Sequence, residues 1–444
     1  MANMRMDKNP MPEQDPQARI GNFDEVALGY SAEAAVDEAQ RCLHCREPRC
    51  VGGCPVSVPI PDFVAKIAGG DFKGAYETLA AVTSLPAVCG RVCPQEAQCE
   101  GRCVRGIKGE PVSIGRLERF AADLYMQSSA GPDSAVPAAE PNGLSVAVIG
   151  SGPAGLTCAG ELARMGYAVT VFEALDKPGG LLTHGIPAFR LPRRTAQREI
   201  DRLAGLGVRI VTNSAIGKMD SVDTLFEQGF EAVFIGSGAG MFQKLDVPGE
   251  ELSGVLSARD LLMRAEELER SAFSGRRVVA VGDGDMALDA ARTALRLGAV
   301  SATVLCRGAE EALPARKEEV LRAKAEGVVL LTRTEPVEIL GSESGRVRAV
   351  EIGGLAPDGG RRVLEAETVI VAVGAGPDPI LLHTTPGLHS TEAGGVAADA
   401  ATGETSRVGV FAGGDAVTGA ATVIQAMAAG KAAAKGIDRY IRSK

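Results

Sequence analysis

Leu144-Ser145-Val146-Ala147-Val148-Ile149-Gly150-Ser151-Gly152-Pro153-Ala154-Gly155 is the stretch on which the fold turns. A strand-like apolar run enters a GxGxxG loop, and Leu156 to Met165 continues as a helix. The glycines permit a tight turn, backbone approach to a pyrophosphate, and close helix–strand packing; the helix N-terminus favours the anion. A GxGxxG alone is weak evidence. Here the next strand, Ala168 to Phe172, is followed by Glu173, 18 residues beyond Gly155, where a carboxylate accepts the ribose hydroxyls of an adenosine. Gly150, Gly152, Ala154, Gly155 and Glu173 are therefore candidate dinucleotide-binding residues. Pro178-Gly179-Gly180-Leu181-Leu182, just beyond, brings bare backbone to a second phosphate or a flavin ring.

Outward from there, strand–glycine–helix units recur. Ala232 to Ile235 ends in Gly-Ser-Gly-Ala-Gly, and Arg277 to Val281 runs into Gly282-Asp283-Gly284-Asp285-Met286-Ala287 and a helix to Leu297. Ala302 to Leu305, Thr368 to Val373 before Gly374, and Gly409 to Ala412 are further strands. Alternating strands and helices predict parallel doubly wound sheets, and two series predict two nucleotide-binding domains. In the second, Arg307 lies 20 residues beyond Ala287, near the offset of Glu173 in the first. A guanidinium there meets a 2′-phosphate and favours NADP(H); a solvated surface Arg is the alternative. Asp283 and Asp285 are unusual inside an anion loop.

Upstream, eight of the ten cysteines lie between Cys42 and Cys103. Cys42-x2-Cys45-x4-Cys50-x3-Cys54-Pro55 is followed by Cys89-x3-Cys93-Pro94-x4-Cys99-x3-Cys103. Dense cysteine runs with Cys-Pro are typical of iron–sulfur ligation, with zinc as the structural competitor. The segments Ser31 to Arg41, with Ser31 as N-cap, and Pro61 to Leu79 read as helices. Residues 128–143, rich in Pro, Gly, Ala and Ser, read as a linker.

Composition narrows the class. The chain has 444 residues, a net charge of −9, 4% aromatic residues and no Trp, which argues against a nucleic-acid partner. Glycine, at 55 residues, exceeds the usual share of about 7%. No apolar run is long enough for a spanning helix and the N-terminus lacks a secretory signal, so no membrane is expected and the chain reads as cytoplasmic.

A cysteine module, a flavin-type domain and an NADP-type domain in this order resemble the family of the glutamate synthase small subunit and the N-terminal half of dihydropyrimidine dehydrogenase. The likeness is strongest to the large subunit of the flavin-bifurcating NADH-dependent reduced ferredoxin:NADP oxidoreductase. It is carried by MPEQD (11–15), VCGRVCPQEAQCE (88–100), KGEPVSIGRLERF (108–120), GIPAFRLP (185–192), ARTALRLGA (291–299) and FAGGD (411–415). Spacing alone would give two all-cysteine sets. The resemblance implies instead that Cys42, Cys45, Cys50 and Cys103 hold one [4Fe-4S] cluster, and that Cys54, Cys93, Cys99 and Glu118 hold a second, leaving Cys89 unligated. For FAD it adds Gly180, Leu181, Arg190, Asp415 and Thr422; for NADP(H) it names Gly284, Asp285, Arg307 and the backbone to Gly374, beside Gly282 and Ala287 of the loop. The family has two adjacent arginines where this chain has Arg307-Gly308, so NAD(H) remains open.

The expected organisation is a helical two-cluster domain (1–127), the linker, an FAD domain in two parts (144–255 and 375–444) and an inserted NADP(H) domain (256–374). The expected activity is hydride exchange between NADP(H) and FAD with single electrons leaving through the clusters, no side chain acting as acid, base or nucleophile. The implied partner is a second redox subunit, either a small flavin/[2Fe-2S] subunit or the glutamate synthase large subunit, with ferredoxin as a further candidate. A non-catalytic scaffold of the same fold is the remaining alternative.

Overall fold

A computed structural model describes residues 3–128, 139–355 and 360–444. The N-terminal part is helical, with Ala32–Ala39, Ile60–Ala68, Phe72–Ala80, Pro86–Val92 and Ile114–Ser128 as its longer helices. Ser31 caps the first as expected, its hydroxyl accepting from the Ala34 N–H at 3.2 Å. Phe63, Ile67, Leu79, Leu85, Val88 and Leu117 are fully enclosed between these helices. The single helix expected over Pro61 to Leu79 is two. Gly70 takes φ +79°, which ends the first helix, and Asp71 caps the second by accepting from the Gly74 N–H at 2.9 Å.

The expected linker begins one residue late, since Ser128 closes the helix Ile114–Ser128. Most of the remainder lies outside the described residues. Its end is tied to the next domain by Ala139 N–H to Arg164 O (3.1 Å) and Asn142 N–H to Gly166 O (3.0 Å).

Two parallel sheets follow. The first runs, edge to edge, Val410–Ala412, Ala232–Ile235, Ser145–Ile149, Ala168–Phe172, Arg209–Val211. The second runs Val255–Ser257, Thr368–Val371, Arg277–Val281, Ser301–Leu305, Val329–Leu331. Both are built on near-continuous Val, Ile, Ala and Leu, as strands covered on both faces require. The strand expected to reach Val373 stops at Val371. The chain leaves the first sheet after Ile235 and returns at Val410, so the second sheet is inserted within the first domain. The antiparallel pair Ala239–Phe242 and Ala375–Pro377 carries both crossings. The expected α/β architecture, a helical module before two doubly wound domains, is the one found. Among the described residues no helix is long and apolar enough to cross a membrane.

The last helix, Val423–Arg442, packs along Pro153–Arg164. A Cβ on Gly430 would sit 2.2 Å from the Ala154 carbonyl oxygen, so only glycine lets the two backbones approach this closely.

Candidate functional site

In the first sheet the strand order reverses between Ser145–Ile149 and Ala232–Ile235. A groove of about 290 Å³ opens there, above the carboxyl ends of the strands, where ligands of such sheets bind. Gly150, Gly152, Ala154 and Glu173 line it on one side, Gly180 and Leu181 on another, Asp415 and Thr422 on a third. The glycines divide their work. Gly150 has φ +95°, and its Cβ would lie 2.5 Å from Gly236 O. Gly152 faces open space, while a Cβ on Gly155 would meet Gly150 O at 1.9 Å. Gly152 thus serves approach of a ligand and Gly155 serves packing.

Sequence reasoning missed Ser151. Its Oγ accepts from the Gly179 N–H at 2.8 Å and its hydroxyl donates to Glu173, whose Oε2 also accepts from the Ser151 N–H at 3.0 Å. One buried hydroxyl therefore joins the loop, the acid and the Pro178–Leu182 turn. Gly236-Ser237-Gly238 also lines the groove. Its glycine run after a strand was visible in the sequence, but only the sheet order brings it to this site.

Asp415 opens the short helix Asp415–Thr418, and burial pushes its carboxyl up to about 6. Its Oδ1 is buried without a hydrogen-bond partner. A buried orphan acceptor on a dinucleotide groove fits a ligand hydroxyl. Thr422 caps Val423–Arg442 in a reciprocal box with Gln425, so two helix N-termini, this one and that of Pro153–Arg164, converge on the groove. These features fit FAD.

In the N-terminal helical part the cysteines line two small cavities. Cys42, Cys45, Cys50 and Cys103 line one, of about 30 Å³. Cys54, Cys89, Cys93, Cys99 and Glu118 line the other, of about 20 Å³. The two sequence runs thus exchange members, Cys54 joining the later cysteines and Cys103 the earlier. Burial pushes the Cys50 thiol up to about 11 and Cys99 well above its ordinary range. Backbone N–H groups of Val58 and Val56 point at the Cys54 sulfur. Burial, and then Glu199, pushes Glu118 up to about 8; among the described residues its carboxylate has no hydrogen-bonded or cationic partner. Thiols and an acid that resist ionisation in an apolar box, with N–H groups aimed at sulfur, fit a cationic iron core. Cys89 lines the same cavity and also reaches the last helix. Its hydrogen bond to Cys93, then burial, pushes its thiol well above the ordinary range, and its Sγ lies 3.5 Å from Met427 Sδ.

The second glycine loop repeats the first. Gly282 has φ +153°, and its Cβ would lie 2.4 Å from Ala372 O; Gly284 faces open space; Ala287 is enclosed. Gly374, at φ +134°, lies past the adjoining strand. The Asp283 carboxylate accepts from the Arg307 N–H at 2.7 Å. The Arg307 guanidinium is exposed and lies 3.2 Å from Glu335, while Lys324 pairs with Glu310 at 2.6 Å. Arg190, expected beside FAD, differs. Its guanidinium turns to the second domain, 2.8 Å from Asp285 and 2.6 Å from Asp289.

Residues 144–430 match the family model described as pyridine nucleotide-disulphide oxidoreductase, and residues 19–130 match dihydropyrimidine dehydrogenase domain II, 4Fe-4S cluster. The chain belongs to the pyridine nucleotide-disulphide oxidoreductase family. Within it, the glutamate synthase [NADPH] small chain of Halomonas elongata is 35% identical, over 97% of this chain and 96% of that one. The NAD-dependent dihydropyrimidine dehydrogenase subunit PreT of Salmonella typhimurium is 34% identical, over 94% and 97%. Mycobacterium tuberculosis FprA in complex with NADPH shares the fold, with TM-score 0.59 and 20% identity over 68% of this chain and 85% of that one. This member of the family is an NAD(P)H-dependent FAD/iron–sulfur oxidoreductase, and the two relatives just described are by name a small chain and a subunit.

Proposed function

We propose that the chain is the NAD(P)H-facing subunit of a redox complex. The second glycine loop would hold NADP(H) and the first groove FAD, which together would supply hydride exchange, and the cysteines would hold two [4Fe-4S] clusters that carry single electrons. The observation that carries this reading is the first turn of Val423–Arg442. Thr422, Val423 and Ala426 line the FAD groove, while Ile424 lines the cavity of Cys54, Cys93, Cys99 and Glu118. This one helical turn therefore borders both the dinucleotide groove and the cavity of the later cysteines.

Bound FAD supplies the chemistry that takes electrons in pairs and releases them singly. The chain's residues place and bias it. Asp415 would accept from a ribityl hydroxyl and Glu173 from the adenosine ribose, and the N-terminus of Val423–Arg442 would present positive potential to the groove. Cys42, Cys45, Cys50 and Cys103 would hold one cluster, and Cys54, Cys93, Cys99 and Glu118 the other. Gly282, Gly284 and Ala287 receive the nicotinamide dinucleotide, with Gly374 beside them and Arg307 for a 2′-phosphate. We assign 1–127 to the clusters. The expected boundary at 255/256 moves, because Val255–Ser257 is an edge strand of the second sheet and the crossings lie at Ala239–Phe242 and Ala375–Pro377: residues 144–238 with 378–444 go to FAD and 243–374 to NADP(H).

The acceptor is a partner subunit. Our first reading is a ferredoxin:NADP oxidoreductase-type complex with a small flavin/[2Fe-2S] subunit. A second, electron input to glutamate synthase, is favoured by the 35% identity to a glutamate synthase small chain over nearly the full length. Anaerobic copurification from the native host decides between them. A small flavin/[2Fe-2S] companion supports the first, a very large companion the second, and a colourless chain without iron or flavin contradicts both.

A further inference from the structure

Residues 283–289 carry three carboxylates, Asp283, Asp285 and Asp289, in and just after the second glycine loop. Asp285 is the first residue of the helix Asp285–Arg296, whose N-cap is Gly284. Free carboxylates there repel a pyrophosphate and spend the positive end of the helix on themselves. The fold must dispose of them. Asp283 is turned aside, its Oδ1 bound by the Arg307 N–H.

Asp285 and Asp289 are disposed of by a residue from the other nucleotide domain. Arg190 places one guanidinium nitrogen 2.8 Å from Asp285 Oδ2 and another 2.6 Å from Asp289 Oδ2. Its side chain is 6% exposed, so solvent and salt screen the pairs little. The free oxygen of Asp285 accepts the Arg316 N–H at 2.9 Å. Glu319, 3.7 Å from Arg190 Nε, has its own partners in Arg292 and Arg322, so Arg190 remains committed to the two aspartates. The neighbouring Phe189 is fully buried, with the Arg296 and Arg292 guanidinium carbons 4.0 and 4.6 Å from its ring centre. That grip fixes the loop on which Arg190 sits.

We propose that Arg190 is a positioning residue for the second nucleotide: it neutralises the acidic first turn of the loop helix, so that the loop's N–H groups can take the pyrophosphate. This rests on the reading that the second loop receives NAD(P)H.

The test is titration of the FAD- and cluster-loaded protein with NADP⁺, followed by calorimetry at low and high salt. We expect R190M to weaken binding about 10- to 100-fold with flavin content unchanged. R190M/D285N recovers part of the loss, because the carboxylate in the first turn of the helix is gone and only the more deeply buried Asp289 is left unpaired. R190K falls between, since an ammonium cannot fork to two carboxylates. If R190M proves insoluble, the pair R190K and R190K/D285N makes the same comparison. R190M binding NADP⁺ as the unaltered protein does, R190M losing flavin at unchanged NADP⁺ affinity, or no recovery on D285N each overturn the proposal. An unaltered protein that binds neither NADP⁺ nor NAD⁺ overturns the loop assignment as well, so the two failures are distinguishable.

Discussion

Replacing Asp415 by Asn removes a carboxyl that burial raises from its ordinary 3.8 to about 6. For an acid whose folded value is raised, the native state resists ionisation. Below about pH 4 the group is protonated in both states and contributes nothing. Between about pH 4 and 6 the unfolded chain ionises while the fold holds its proton, so stability falls as pH rises, and above about 6 the penalty is complete. Two units correspond to about 3 kcal/mol at about 1.4 kcal/mol per unit. Solvent reaching the half-buried group reduces this to about 2 kcal/mol. Denaturant unfolding of flavin-stripped protein measures it. D415N should match the unaltered chain near pH 4 and exceed it by about 2 kcal/mol at pH 7.5. With FAD present the order reverses in binding: a ribityl hydroxyl stabilises the ionised Asp415, so FAD uptake releases a proton between about pH 4 and 6, and D415N binds FAD more weakly at pH 7.5. A stability difference that does not vary with pH, or FAD binding without proton release, refutes the reasoning.

Three further outcomes follow from particular contacts. G430V drives side-chain atoms into the Ala154 carbonyl, 2.2 Å from the Cβ position; it should lose about 2–4 kcal/mol in denaturant melts and part of its flavin, and an unchanged melt would show that the helices can separate freely. E118A should lose about four irons per chain while C89S retains them; iron loss confined to C89S reverses the ligand assignment. R307A should raise KM for NADPH about 10-fold and leave KM for NADH nearly unchanged; equal effects on both nucleotides return Arg307 to the role of a surface residue.

Much of the fold was legible because its signals are local. Val146 to Gly155 encodes strand, loop and helix within ten residues, and Gly282 to Ala287 repeats the code. The break at Gly69-Gly70-Asp71 was equally local but was outweighed by the apolar pattern on either side. What stayed hidden depends on chain segments meeting. Spacing groups Cys54 with Cys50. In the structure Cys50 lies in the turn Arg49–Gly52, and Cys54, just past it, faces the second cavity, so the runs interleave. Ser151 is an unremarked x in GxGxxG until Gly179 and Glu173 are folded onto it. Arg190 is 95 residues from Asp285, and the resemblance placed it beside FAD; only the docking of the two nucleotide domains shows which carboxylates it meets.

The central claim is that paired electrons enter at a bound flavin and depart singly through iron–sulfur clusters. It is tested most directly by anaerobic titration of the intact protein with NADPH and with NADH, after flavin and iron are counted. The account predicts one FAD and about eight irons per chain, with flavin and cluster absorbance bleaching together. A protein carrying these cofactors whose spectrum neither nucleotide changes would contradict it.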